Sequence, residues 1–185
     1  MNTTIVLPTI YGDLMVSYMP YDGQQAVLIR TKELSDIPFL RIHSSCVFSE
    51  AFHACDCDCA LQLNASLDYI NKNNGLVIYL YQEGRGIGLE AKIQAIALQH
   101  LEKINTAEAF KKLGFDPDPR TYKAATTILK SLEIKKVILA TSNPLKISAV
   151  EAAGIEISQR IVLEIPESDK VNNYKNEKKE ALSHL

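Results

Sequence analysis

Apolar and polar residues alternate along PTIYGDLMVSYM (8–19) and again along AVLIRT (26–31), and the YDGQQ between them carries turn chemistry. The pattern predicts two neighbouring strands. FLRIHSSCVF (39–48) reads as a further strand that ends at the first cysteine. The period then changes. Along ALQLNASLDYINKNNG (60–75) apolar residues fall at Leu61, Ala65, Leu67 and Ile70, one helical face closed by Asn-Gly. GLVIYLY (75–81) is short and mostly apolar, the signature of a buried strand, and EAKIQAIALQHLEK (90–103) returns to helix. KSLEIKKVILATSNPLKISAVEAAG (130–154) reads as helix end, buried strand, loop and helix, and IEISQRIVLEI (155–165) as a last strand. Strands alternating with helices predict an α/β fold, and the N-terminal hairpin makes its sheet mixed, with flanking helices. One domain over residues 1–185 is expected, with a polar tail from about 166 to 185 that forms a surface helix.

Composition narrows the setting. The formal net charge of −2, from 20 basic and 22 acidic residues, gives no electrostatic case for nucleic acid or an anionic membrane surface. No apolar run approaches the ~18 residues of a membrane span. MNTTIVLPTIYGD lacks the basic and apolar regions of a signal peptide. A cytoplasmic protein with reduced thiols is expected.

That expectation gives meaning to CVFSEAFHACDCDCA (46–60), which holds all the cysteines: Cys46, Cys55, Cys57 and Cys59. In a reducing compartment such a cluster points to metal rather than disulfides. In an extended chain Cys55 and Cys59 would stand ~13 Å apart, too far for both sulfurs to reach one zinc ion at ~2.3 Å. The economical site is Cys46 with one C-x-C pair, either Cys55/Cys57 or Cys57/Cys59. Three thiolates leave a fourth position open, the pattern of a catalytic zinc. The alternative, a structural site of four cysteines, lacks the usual second C-x₂₋₄-C unit. His43 and His53 lie near enough to be considered as ligands, but lone histidines are more often core or solvated residues. Cys59 falls near a helix N-terminus, where the dipole favours a thiolate.

Two strand-to-helix loops carry further chemistry. QEGRGIG (82–88) places Gly84, Gly86 and Gly88 after a strand, with Arg85 as a fixed charge, although the spacing matches neither a dinucleotide fingerprint nor a P-loop. TSNPLK (141–146) sits at a strand's carboxyl end, where α/β sheets bind ligands, and offers Thr141 and Lys146. Between them LGFDPDPRTY holds Asp118 and Arg120 in a proline-stiffened loop. Arginine suits charge developing on phosphorus, and aspartate can accept a proton.

Taken in order, RIHSSC, C-D-C followed by ALQL, YQEGRGIGL, LGFDPDPRTY and TSNPLK resemble the GTP cyclohydrolase II family, which opens the imidazole ring of GTP at the start of riboflavin synthesis. The resemblance covers nearly the whole chain. It implies zinc on Cys46, Cys57 and Cys59, with Cys55 spare, and zinc-activated hydrolysis at C8 of the guanine followed by release of formate. It places nucleotide contacts at Arg41, Ile42, His43, Ser44, Ser45, Gln62, Glu83, Gly84, Arg85, Thr106, Thr141 and Lys146. It implies loss of pyrophosphate, with Arg120 in the place of the nucleophile on the α-phosphate and Asp118 as proton acceptor. Magnesium on the triphosphate and a homodimer follow from the same resemblance.

This chain also departs from the family pattern. Ser45 stands for glutamate, Asp56 and Tyr81 for arginines, and Ile96 for a tyrosine on the helix after QEGRGIGL. The last change bears on the product, because a phenol can polarise a formamide and isoleucine cannot. Tyr79 and Tyr81 are the phenols that could stand in. A specialised paralogue, of a secondary-metabolite pathway, and a non-catalytic zinc-binding nucleotide sensor are the alternative readings.

Overall fold

A computed structural model describes residues 3–165, and the polar tail expected to form a helix lies outside them. Its seven strands form one mixed sheet, so the predicted α/β class holds. Strand β1 (Thr4–Thr9) pairs antiparallel with β2 (Gly12–Tyr18), which pairs with β3 (Ala26–Arg30), which in turn pairs with β5 (Gly75–Leu80). From β5 onward the pairing is parallel, through β4 (Phe39–Ser44) and β6 (Lys136–Ala140) to β7 (Glu156–Ile161).

Two predicted strands need correction. The alternation over 8–19 spans a hairpin, not one strand: the chain reverses at Ile10-Tyr11, and Thr9 faces Gly12. The Thr9 hydroxyl donates to the Gly12 carbonyl at 2.7 Å and accepts from the Tyr11 amide at 3.1 Å, while Gly12 takes φ +112°, which a side chain would resist. A two-residue turn preserves the alternation across itself, which hides it. The second correction is at the first cysteine. Strand β4 stops at Ser44, and Cys46 caps a single-turn helix α1 (Val47–Glu50). Two acidic side chains accept hydrogen bonds from the amides of Cys46 and Val47 and draw the chain out of the sheet.

Helix α2 (Cys59–Asn73) lies on one face, where Ile70 joins Leu14, Phe39 and Val77, with Leu63 and Leu67 packed against them. Its inward stripe runs through Leu63, Ser66, Leu67 and Ile70 rather than through the expected Leu61 and Ala65. Ser66 can be buried because its hydroxyl donates to the Gln62 carbonyl at 2.6 Å. Helices α5 (Lys123–Ser131) and α6 (Pro144–Ala152) cover the other face through Ile128, Leu129 and Val150, over Leu40, Ile42, Leu76 and Ile78. Helix α3 (Leu89–Glu102) packs with α4 (Thr106–Lys112) in a smaller cluster of Ala95, Ala109 and Phe110. Periodicity gave no sign of α4, although Asn105 and Glu108 form a capping box at its start.

The chain passes from β4 to β5 on one side and later to β6 on the other side of β4. That reversal opens a crevice at the carboxyl ends of β4 and β6, where ligands bind in such sheets.

Gly75, at the start of β5, lies tight against the neighbouring strand: a Cβ there would stand 2.6 Å from the Phe39 carbonyl oxygen and 2.8 Å from its Cβ. Gly75→Ala is expected to lower stability by about 1–3 kcal/mol, read as a fall in the denaturation midpoint.

Candidate active site and metal centre

The crevice encloses a cavity of about 420 Å³. Strand β4 and its exit contribute Arg41, His43, Ser44, Ser45 and Cys46. The cysteine turn and α2 add Cys57, Cys59 and Gln62, and the loop after β5 adds Glu83, Gly84 and Arg85. Ile96, Thr106, Arg120, Thr141 and Lys146 complete the expected set. Two expected residues stand outside it. The Ile42 side chain is sealed in the core, and only its carbonyl turns to the site, accepting from the Lys146 ammonium at 2.8 Å. Asp118 sits behind Arg120.

The cysteine question has a geometric answer. The sulfurs of Cys46, Cys57 and Cys59 all lie within 4.8 Å of one another, and exposed Cys55 is not in the group. Tetrahedral ligation at ~2.3 Å separates two sulfurs by about 3.8 Å, and Cys46 and Cys57 Sγ are 3.8 Å apart. Hydrogen bonds from Cys46 and Cys59 push the Cys57 thiol down to about 2, so a thiolate is already favoured there. This donor set fits a zinc ion with one position left for another ligand. Neither histidine belongs to the group.

Two carboxylates hold the turn that carries Cys46. Glu50 accepts from the Cys46 amide at 3.0 Å, from the Tyr79 hydroxyl at 2.6 Å, and pairs with His43 Nε2 at 3.0 Å. Burial keeps the His43 imidazole neutral by pushing its pKa down to about 4, against the pull of Glu50. Glu83, expected as a nucleotide contact, accepts from the Val47 amide at 2.7 Å and from Lys92 at 2.6 Å, with the Gly84 amide at 3.2 Å. Burial opposes the Lys92 charge, but Glu83 and the Cys46 sulfur outweigh it and raise its pKa.

The cationic wall is equally fixed. Arg41 donates to the Ala140 carbonyl at 3.0 Å and to Gln62, and Gln62 passes the link to Asp58 at the start of α2. Arg41 Nε has no hydrogen-bond partner among the described residues. Arg120 makes a paired contact with Asp118, Nε at 2.6 Å and a terminal nitrogen at 2.5 Å. Burial alone would raise the Asp118 pKa, but these bonds lower it, so it is held as carboxylate. Arg85 takes φ +57°, a strained backbone for a non-glycine residue, and donates to the Pro117 carbonyl at 3.1 Å.

Sequence reading missed several lining residues. Asn143 caps α6 ahead of Pro144 and donates to the Tyr122 hydroxyl at 3.3 Å; a cap before proline is a readable signal. Gln82 links Ser44 to the Thr121 carbonyl. Lys92, Ala95, Gln99 and His100 face the cavity beside the expected Ile96 from one side of α3, a stripe whose polar members a 3.6-residue period could have found. No tyrosine is among the described residues lining the cavity. Tyr79 spends its hydroxyl on Glu50, and Tyr81 faces a second, shallower concavity beside Asp22 and Gln24.

The sequence profile of the GTP cyclohydrolase II family matches residues 2–162. The chain is 39% identical over its whole length to the riboflavin biosynthesis protein RibBA of Staphylococcus epidermidis, and spans 47% of that protein. It thus covers about half the length of the first relatives it matches. It is 40% identical to GTP cyclohydrolase-2 of Buchnera aphidicola subsp. Schizaphis graminum, across 97% of this chain and 94% of that one. Against GTP cyclohydrolase-2 of Campylobacter fetus it is 46% identical, over 79% of this chain and 73% of the relative.

Replacing Cys46, Cys57 or Cys59 by serine is expected to strip bound zinc, while Cys55→Ser keeps one ion per chain. Elemental analysis of the four variants checks this; zinc loss in Cys55→Ser would overturn the three-sulfur assignment.

Proposed function

The chain belongs to the GTP cyclohydrolase II family, and we propose that it hydrolyses GTP at C8 of the guanine and releases pyrophosphate, the entry reaction of riboflavin-type synthesis. The observation that carries this reading is the convergence of three cysteine sulfurs with a wall of arginine and lysine in one crevice. A zinc ion held by Cys46, Cys57 and Cys59 supplies, when bound, Lewis-acid activation of water near neutral pH. The triphosphate enters with magnesium.

The chain's own residues do the rest. Arg41, Arg85 and Lys146 are immobilised by carbonyl partners or neighbouring side chains, so they meet phosphate and base without first being ordered. Arg41 is held by the Ala140 carbonyl and by Gln62, so its guanidinium is fixed at the cavity wall before a substrate enters. Thr141 is buried at the end of β6, and its hydroxyl already accepts from the Asn143 amide, which fixes the oxygen's direction. Arg120 addresses the α-phosphate. Asp118, bound through both oxygens, orients the guanidinium and stands as the acceptor for a proton leaving it. The reading includes a cytoplasmic homodimer. Among the described residues no helix is long and apolar enough to cross a membrane.

Product identity turns on Ile96. One water opens the imidazole ring and leaves a formamide; a second must attack that formamide to free formate. The formamide is the weaker electrophile and needs a donor to polarise it. Ile96 cannot donate, and neither Tyr79 nor Tyr81 reaches the cavity. With no phenol among the described residues lining the cavity, the product of this chain is expected to retain its formyl group wholly or in part, the outcome of a specialised paralogue.

Three measurements test the proposal. Incubation with GTP, with formate and pyrophosphate assayed separately, distinguishes an enzyme from a nucleotide sensor, which would bind GTP and release neither. Arg120→Ala is expected to reduce pyrophosphate release by about 100-fold or more while GTP binding changes little; equal loss of both marks an ordinary phosphate clamp. Mass spectrometry of the wild-type product is expected to show the formylated pyrimidine, and Ile96→Tyr to raise the formate yield. Stoichiometric formate from the wild type contradicts the assignment to Ile96.

A further inference from the structure

The Lys92 ammonium is held from three sides. It has three donor directions. One goes to Glu83 Oε1 at 2.6 Å, one to Cys46 Sγ at 3.4 Å, and its third side lies 4.4 Å from the centre of the Phe48 ring. The group is also largely out of water, with 16% of the side chain exposed. The loop is built to let it come this close. A Cβ on Gly84 would stand 2.9 Å from Lys92 Cβ, and Gly84 takes φ +59°, so a side chain there would push the lysine away. Glu83 then fixes the ammonium by gripping α1 with its other oxygen, at the Val47 amide directly after Cys46.

Lys92 stands in the cavity wall, and its ammonium is turned to Glu83 and to the Cys46 sulfur. Three thiolates on a divalent ion carry excess negative charge, which weakens the ion as a Lewis acid. A hydrogen bond from a cation to one thiolate draws electron density back from that ligand. We propose that Lys92 is a positioning residue that acts through Cys46, orienting its sulfur and withdrawing charge from it, rather than a contact to the nucleotide. The inference rests on the reading of Cys46, Cys57 and Cys59 as a metal centre.

The test uses the full chain loaded with cobalt(II) in place of zinc and free of nucleotide, comparing wild type, Lys92→Met and Lys92→Arg. Lys92→Met removes the charge and the donor at nearly constant volume. It is expected to keep one cobalt per chain and to move the sulfur-to-cobalt charge-transfer band to longer wavelength, because a thiolate relieved of its hydrogen bond gives up an electron more easily. With zinc, kcat should fall about 10–100-fold. Lys92→Arg, which retains a charged donor, should return the band toward its wild-type position. Where Lys92→Met does not accumulate as folded protein, Lys92→Leu, which also removes charge and donor, is read in the same way.

A band that stays at the wild-type wavelength in the neutral variant overturns the proposal, even if activity falls, and leaves Lys92 as a substrate contact or a brace for Glu83. Absence of any sulfur-to-cobalt band in the wild type overturns the metal centre as well. The two failures are thereby separate.

Discussion

The crevice depends on two half-buried carboxylates where β4 leaves the sheet. A carboxylate out of water is tolerated only if its oxygens are met by donors, and here the donors come from several elements. Glu50 binds the Cys46 amide, a tyrosine of β5 and a histidine of β4. Glu83 joins the loop after β5 to α1 and to α3. Removing either would strand donors and release the turn that aims Cys46 at its two companions. The cost of drawing these acids out of water is offset by neighbours that are themselves fixed by it, so the cysteine turn, the glycine loop and α3 are tied together.

The net charge of the chain conceals the charge of its site. A balance of −2 gives no electrostatic case for an anionic macromolecule as partner. Yet Arg41, Arg85, Lys92, Arg120 and Lys146 all line one cavity. Such concentration matters more for a small polyanion than the total, because field lines are focused where water is scarce. Most of these cations are already tied to carbonyls or carboxylates, so the cavity is stiff before anything enters it.

Much of this was legible in the sequence, and the exceptions share a cause. The α/β class, the order of the later elements and the two glycine- and asparagine-bearing loops follow from local period and turn chemistry. The geometric limit on Cys55 and Cys59 narrowed the candidate set to two choices, and the sulfurs that the fold brings together are those of Cys46, Cys57 and Cys59. What was missed depends on contacts between segments far apart in the chain. Glu50 reads as a surface acid until Tyr79 and His43 are brought beside it. Lys92 reads as the solvated face of a helix until Glu83 and Cys46 arrive. Asp118 and Arg120, two residues apart, read by resemblance as a proton acceptor and the nucleophile on the α-phosphate; the structure adds that the two side chains are bonded to each other.

Strand β4 serves two masters through its pleat. Phe39, Arg41 and His43 point toward α2 and the crevice, while Leu40 and Ile42 point into the opposite core. A single inserted or deleted residue within it would exchange these sets, sending an arginine and a histidine into hydrocarbon and two aliphatic side chains into the site. The segment is therefore locked in reading frame. Length variation among descendants of this sequence must accumulate elsewhere, as in the exposed turn before Phe39, and the six residues of β4 can change by substitution alone.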